Sequence, residues 1–345
     1  GFDGFYRGRT ADLIVAEMER GGGLITHEDL ADYRAAWRPP VEGDYKDYHI
    51  ISMPPPSSGG VALLQLLTIL ENYPLAQWGF HSADAVHLMV EAERRVYADR
   101  AQHLGDMDFY PVPLDSLLDP NYLHLRMADF NPGKATPSDT VAAGRFQLAV
   151  ESFETTHTSV VDPQGNAVSV TTTLNLNYGS KVVVQGAGFF LNDEMDDFSA
   201  KPGTPNYFGL VGAEANAIQP GKRMLSSMTP TIVEKDGRLF LVLGAPGGST
   251  IITAVLQVFL NVVEFGLPLP EAVEAGRFHH QWLPDEIRVE RDALPDSVLQ
   301  ELRRRGHSFR EVNRMAVIKA IQVREDGRLW GAADPRNPDD HCEGR

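Results

Sequence analysis

The chain has 345 residues, 43% of them hydrophobic, which is enough to build one large domain or two ordinary ones. Its formal charge of −16 argues against nucleic acid or an anionic membrane as a partner, because both select a basic face. The single cysteine, Cys342, allows no intrachain disulfide and offers no thiolate metal site.

The sequence opens without an initiator Met, a basic leader or a signal-type apolar core, so it reads as part of a longer chain. "TADLIVAEMERGGG" predicts a helix with Leu13, Ile14 and Met18 on one face and a glycine stop. In "THEDLADYRAAW" Thr26 stands three residues before Asp29, a capping-box variant. "DYKDYHIISMPPPSSGG" reads as a short strand entering a proline-rich turn. "VALLQLLTILENY" and "SADAVHLMVEAERRVYADRAQHLG" predict two helices with apolar faces. Between Asn131 and Val150 Pro, Gly, Ser and Thr dominate without a period, which reads as a long, exposed, mobile segment.

After Glu154 the pattern becomes one of strands. "TTHTSVVD" and "NAVSVTTTLN" alternate around the turn "DPQGN", and "RMLSSMTPTIVEKDGRLFLVLGAPGGS" holds two more strands joined by "KDG". "IITAVLQVFLNVVEFG", interrupted by Gln257, Asn261 and Glu264, is too short and too polar to span a membrane and reads as a buried helix. A helix, "DSVLQELRRRG", and a hairpin turning at Asp326 and Gly327 close the chain. Strands interleaved with packed helices imply layered α and β.

Four stretches could carry chemistry. A threonine hydroxyl is a poor nucleophile without a base, and the α-amine of an N-terminal threonine can be that base. Thr155 would gain this amine only if the bond after Glu154 were cut, at the end of a linker where a cut spares the core. Thr-Thr pairs are also ordinary strand residues. "LGAPGGST" runs a strand through glycines into a helix, either as a tight turn or as an array of N–H donors for an oxyanion. It lacks the Lys-Ser/Thr of a phosphate loop. Glu194, Asp196 and Asp197 form a solvated acidic loop or a site for a substrate ammonium. Ser226 and Ser227 could donate two bonds to one carboxylate. His279 and His280 are neighbours on an extended segment, so their side chains diverge and cannot share a metal. No Gly-x-Ser-x-Gly elbow is present.

Taken together, "MPPPSSGG", "TTHTSVVD", "NDEMDDFSAKPG", "KRMLSSMTPTIV", "GAPGGS", "RFHHQWLPDE" and "ADPR" resemble the γ-glutamyltranspeptidase family, in its order and over essentially the whole chain. The resemblance implies an α+β, N-terminal nucleophile hydrolase fold, a four-layer αββα sandwich. It implies self-cleavage between Glu154 and Thr155, with residues 1–154 as the C-terminal part of a large subunit and 155–345 as the small catalytic subunit. The two would stay together as one folded unit and a heterodimer. Thr155 matches the nucleophile and Thr173 the hydroxyl that supports it. Asn175, Glu194 and Asp197 match the groups on the substrate α-amine, Ser226 and Ser227 those on its α-carboxylate, and Gly247 and Gly248 the oxyanion hole. Phe208 stands where many members place a gating tyrosine, so its ring can cover a pocket but cannot hydrogen-bond Asn175. The family's carboxylate-clamping arginine matches no residue here.

The activity implied is transfer or hydrolysis of γ-glutamyl groups from glutathione and related amides, with water, an amino acid or a dipeptide as acceptor and no metal or organic cofactor. A periplasmic or secreted location goes with it. The alternatives are a cephalosporin (glutaryl) acylase of the same fold, against which Glu194 and Asp197 speak, and a non-catalytic binding protein.

Overall fold

The computed structural model describes residues 1–144, 156–199 and 214–344, which fall into two units. The first joins Gly1–Pro39 with Thr173–Glu194, and the second joins Pro40–Thr172 with Met195–Arg345. Glu154, Thr155 and Phe208 lie outside the described residues.

Helices α1 (Phe2–Tyr6), α2 (Gly8–Gly21) and α3 (His27–Asp32) open the first unit. α2 stops where its glycines predict: Gly22 adopts φ 72°, a left-handed conformation that a Cβ would penalise, and its N–H closes on Met18 O. The capping box of α3 forms as expected, with Asp29 N–H donating to Thr26 Oγ1 at 3.2 Å and Thr26 N–H donating to Asp29 at 2.8 Å. Ala11, Ile14, Val15 and Leu30 make a small core that Val184 completes from the distant segment. The two segments of this unit are thus joined by apolar burial.

The second unit begins with β1 (Val41–Tyr45) and β2 (Tyr48–Ser52), a hairpin where the sequence suggested one strand. Lys46, at φ 52°, makes the turn. Five helices follow: α4 (Gly59–Leu70), α5 (Leu75–Trp78), α6 (Ala83–His103), α7 (Leu114–Leu117) and α8 (Pro120–Arg126). Then come the hairpin β3 (Thr156–Val161) and β4 (Ala167–Thr172), and the pair β5 (Thr231–Lys235) and β6 (Arg238–Gly244). Asp236 and Gly237 both have positive φ in the tight β5–β6 turn, as "KDG" predicts. α9 (Thr250–Val263) and α10 (Leu269–Glu274) precede β7 (Phe278–His279) and β8 (Ile287–Glu290). α11 (Asp296–Arg304), β9 (Phe309–Val312), β10 (Lys319–Val323) and β11 (Leu329–Ala333) complete the unit.

Six strands form an antiparallel sheet in the order β1-β2-β5-β6-β10-β11. α4 packs against β1 and β2 and also against α6 and α9, while the β3–β4 hairpin packs against β5, β6 and β10 as a second β layer. This is the α+β architecture that the sequence implied. A small sheet, β7-β8-β9, was not legible, because β7 has two residues and the parallel β8–β9 pair depends on a crossover through α11.

One helix is more enclosed than its apolar face suggests, and one expectation needs correction. α6 does not present a polar face to water: Glu91, Glu93, Arg94, Arg95, Asp99 and Arg100 are all at most 1% exposed. Nor is the whole of 131–150 a free exposed segment. Ala135 N–H donates to Arg305 O, Thr136 N–H to Glu91 and Ser138 N–H to Asp285. Gly144 N–H donates to Asp99 at 3.0 Å. Composition reported the missing period correctly, but these backbone groups found partners elsewhere in the chain, the carboxylates of Glu91, Asp99 and Asp285 and the carbonyl of Arg305. Residues 145–150 lie outside the described residues.

Near the C-terminus the "ADPR" motif is a buried charge lattice. Arg277, 2% exposed, donates to Asp334 at 2.7 Å and to the carbonyls of Val273 and Ala316. Arg336 bridges Asp334 and Glu290. Burial works to raise the Asp334 pKa, but the Arg277 and Arg336 guanidiniums overcome it and hold the carboxyl below its ordinary value. Its stabilising contribution is therefore complete at neutral pH and is lost as pH falls below the usual carboxylate range. Asp334→Ala should cost about 3–5 kcal/mol, since it leaves Arg277 charged and buried without its carboxylate. Denaturant unfolding at pH 7 and pH 3 measures this; an equal penalty at both values would contradict the charge-pairing account.

Candidate active site

In the second unit β6 ends at Gly244 and the chain passes through Gly247 and Gly248 into α9. Gly247 has φ 139°, and a Cβ there would stand 2.6 Å from Ala316 Cα and 2.9 Å from Thr250 Oγ1, so only glycine fits. Thr250 Oγ1 donates to Gly247 O at 2.7 Å and accepts from Ala316 N–H. Tyr97, on α6, donates its hydroxyl to Ser249 O. Among the described residues neither Gly247 N–H nor Gly248 N–H donates a hydrogen bond. Two unused donors at the N-terminus of a 14-residue helix suit an anion or a developing oxyanion.

The serine pair is held from below by the "PPPSSGG" stretch. Ser226 N–H donates to Pro56 O, and the hydroxyls of Ser57 and Ser58 both donate to Ser226 O. Arg100 Nε, from α6, donates to Ser58 Oγ at 2.9 Å. Gly60 admits no Cβ, which would lie 2.4 Å from Met53 O. Ser227 is 3% exposed, and its Oγ has no hydrogen-bond partner among the described residues. A buried hydroxyl left this way is poised for a ligand oxygen.

Asp197 ends the 3₁₀ turn Glu194–Asp197 and is buried. Asn216 braces it: Nδ2 donates to Asp197 O at 2.6 Å, while Oδ1 accepts from Leu225 N–H at 2.9 Å, next to Ser226. One buried amide thus ties the acidic turn to the serine pair.

Thr173, Asn175 and Glu194 belong to the first unit. Asn175, at φ 72°, donates its N–H to Thr173 Oγ1 at 2.8 Å and its side-chain Nδ2 to Asp193 O. Asp193 Oδ1 accepts from Leu176 N–H. Burial, and then the adjacent Asp193 carboxylate, push the Glu194 pKa up to about 7.

The structure therefore links the Asp197 turn, through Asn216, to Leu225 beside the Ser226–Ser227 pair, and places Gly247 and Gly248 just ahead of α9. Within the other unit it gathers Thr173, Asn175 and Glu194. Sequence reading missed Asn216, Ser57, Ser58 and Tyr97 as supports. The paired serines ahead of paired glycines were a signal for two of them. Nothing local marks Asn216, whose side-chain partners lie 9 and 19 positions away, or Tyr97, whose partner lies 152 positions away. His279 and His280 do diverge, to Thr253 and Asp285 respectively.

His87, Glu91 and His307 bring ligand atoms within 4.8 Å of one another, the one such group among the described residues. Most of its donor atoms are engaged, although His307 Nδ1 has no hydrogen-bond partner among the described residues. His87 Nδ1 and His307 Nε2 bond each other at 2.7 Å, and Glu91 accepts from Arg94, Arg95 and Thr136. Two guanidiniums beside the carboxylate oppose a cation, so the group is a structural network.

A family model for gamma-glutamyltranspeptidase matches residues 1–343. A glutathione hydrolase proenzyme of Escherichia coli is 51% identical over 344 residues, covering 100% of this chain and 59% of its own length. One from Pseudomonas aeruginosa is 52% identical over 342 residues, covering 97% and 60%. The chain thus spans about three-fifths of the length of these curated relatives. Among solved structures, a cephalosporin acylase from Bacillus halodurans superposes with a TM-score of 0.82 at 28% identity, over 97% of this chain and 58% of its own. An N-terminal nucleophile hydrolase fold follows for this chain.

The raised Glu194 pKa has a measurable consequence. Its contribution to stability is fully present below the ordinary carboxylate range and is lost as pH rises through about 7. Glu194→Gln, which cannot ionise, should flatten the fall in unfolding free energy between about pH 4.5 and 7. An unchanged slope in that variant would place the titrating group elsewhere.

Proposed function

The chain belongs to the gamma-glutamyltranspeptidase family, and from that premise we propose that it transfers or hydrolyses γ-glutamyl groups of glutathione and related amides. The observation that carries the chemistry is the Gly247–Gly248 turn, with two N–H donors left unused at a helix N-terminus.

In this reading the chain cuts itself between Glu154 and Thr155, and residues 155–345 remain with the preceding residues as a processed heterodimer. Thr155 Oγ adds to the substrate γ-carbonyl while its α-amine takes the hydroxyl proton. Gly247 and Gly248 N–H stabilise the oxyanion. The amide nitrogen leaves with a proton, and the γ-glutamyl ester is resolved by water or by the amine of an amino acid or dipeptide. Thr173 supports the nucleophile. Asn175, Glu194 and Asp197 receive the α-amine, Ser226 and Ser227 the α-carboxylate, and Phe208 covers the bound substrate.

None of the helices among the described residues is long and apolar enough to cross a membrane. A periplasmic or secreted location goes with the proposed function.

The likeness to a cephalosporin acylase supports a second reading, in which the acyl group is glutaryl and carries no amine. A buried Asp197 weighs against it, because that carboxylate would have no ammonium to meet. Asp197→Asn in the full-length protein should reduce kcat/KM for a γ-glutamyl anilide by about 10- to 100-fold, the value of a charge-assisted hydrogen bond, and barely affect a glutaryl anilide. Equal losses on both substrates would remove Asp197 from amine recognition.

The nucleophile is tested by intact mass. Thr155→Ala should leave one uncut, inactive polypeptide, and Thr155→Ser, which keeps the oxygen, should still process. Two fragments meeting at 154/155 in Thr155→Ala would falsify the assignment.

A further inference from the structure

β3 begins at Thr156, one residue beyond Thr155, and its alternation is inverted relative to an ordinary surface hairpin. Thr158, Val160, Val168 and Val170 face outward and are exposed or nearly so, whereas His157 and Ser159 of β3, with Ser169 and Thr171 of β4, lie on the inner side. That inner side meets β6 and β10. A polar layer in this place contributes direction where apolar packing would contribute only burial.

The hydrogen bonds fix every proton in the layer. Ser159 Oγ donates to Lys319 O on β10, and Ser169 Oγ donates to Leu243 O on β6, both at 3.1 Å. With those hydroxyl hydrogens spent, His157 Nε2 must be the donor, to Ser159 Oγ at 3.1 Å, and Nδ1 accepts from Thr171 Oγ1 at 2.8 Å. The ring is 1% exposed and has one tautomer. It rests on Gly244: a Cβ there would lie 2.2 Å from Cε1, 2.5 Å from Nδ1 and 2.7 Å from Nε2. Gly244 is an ordinary strand residue without positive φ, so the position needs glycine for space and not for conformation.

Gly244 lies three residues before Gly247, and His157 lies two residues after Thr155. We propose that His157 is a positioning residue whose seat on Gly244 sets the spacing between β3, which begins one residue after Thr155, and the Gly247–Gly248 turn. This rests on the proposed function. Burial, with Lys319 adding to it, holds the ring's pKa down at about 3, so His157 stays neutral and is not itself the base. An error of about 1 Å between attacking oxygen and oxyanion donors can cost on the order of 100-fold in rate. Binding of the ground-state substrate has no such dependence on this spacing, so kcat should suffer and KM should not.

The experiment compares wild type, Gly244→Ala, His157→Ser and their combination in the full-length protein, with γ-glutamyl anilide as substrate and intact mass to follow processing. Gly244→Ala pushes a methyl into the ring. It should lower kcat about 100-fold, with KM within about twofold, and a serine at 157 should recover much of the loss. His157→Leu keeps the bulk without the bonds and should lose kcat more than His157→Gln, which can still donate. A wild-type kcat in Gly244→Ala or in His157→Leu, or a Gly244→Ala loss that the smaller residue does not relieve, overturns the positioning role. A wild type that neither processes nor turns over the anilide overturns the proposed function instead.

Discussion

Helix α6 carries charges that cannot remain unpaired, and much of the second unit is arranged to meet them. Burying an ionised side chain without a partner costs several kcal/mol, so each charge on a fully enclosed helix dictates where another segment must sit. Glu91 takes Arg94, Arg95 and the backbone of Thr136. Asp99 takes Tyr122, Arg126 and the Gly144 N–H. Glu93 accepts from His280 N–H, and burial raises its pKa well above the ordinary value. From the same helix Tyr97 reaches the Ser249 carbonyl after the Gly247–Gly248 turn and Arg100 reaches the serine that clamps Ser226.

Support and chemistry are thereby separated. The groups proposed to touch substrate leave bonding capacity open, as at Ser227 Oγ and the two glycine N–H groups. Their supports are saturated, as at Thr250, Ser57 and Asn216. Such a site depends on rigid donors aimed in advance, because donors that must reorganise during the reaction lose most of their electrostatic advantage. His157 follows the same logic on the other side of the sheet: both ring nitrogens are engaged, and the ring serves as a spacer.

How far the sequence could be read varied with the range of the forces involved. The Thr26–Asp29 box, the Gly22 stop and the Asp236–Gly237 turn are settled by residues three or four apart, and all three were legible. The β1–β2 hairpin was half legible, since its turn at Lys46 and Asp47 has no glycine to announce it. The buried polar side of α6 was not, because a run such as Glu91–Arg95 looks the same whether its partners are water or distant carboxylates. The order in 135–144 was hidden for the same reason.

By itself, then, the sequence determined the longer helices and the hairpins whose turns carry glycine, the α+β class and, through motifs in register, the family and a candidate set of residues. Those depend on local propensity, alternation and residue identity, all of which are written along the chain. Tertiary structure alone decided that Thr173, Asn175 and Glu194 fall in one unit while Asn216 ties Asp197 to Leu225, beside Ser226, in another. It alone put the His157 ring against Gly244. Most of these contacts join residues too far apart for local propensity to set, and the chain must be folded before the bond lengths and burial that select them exist.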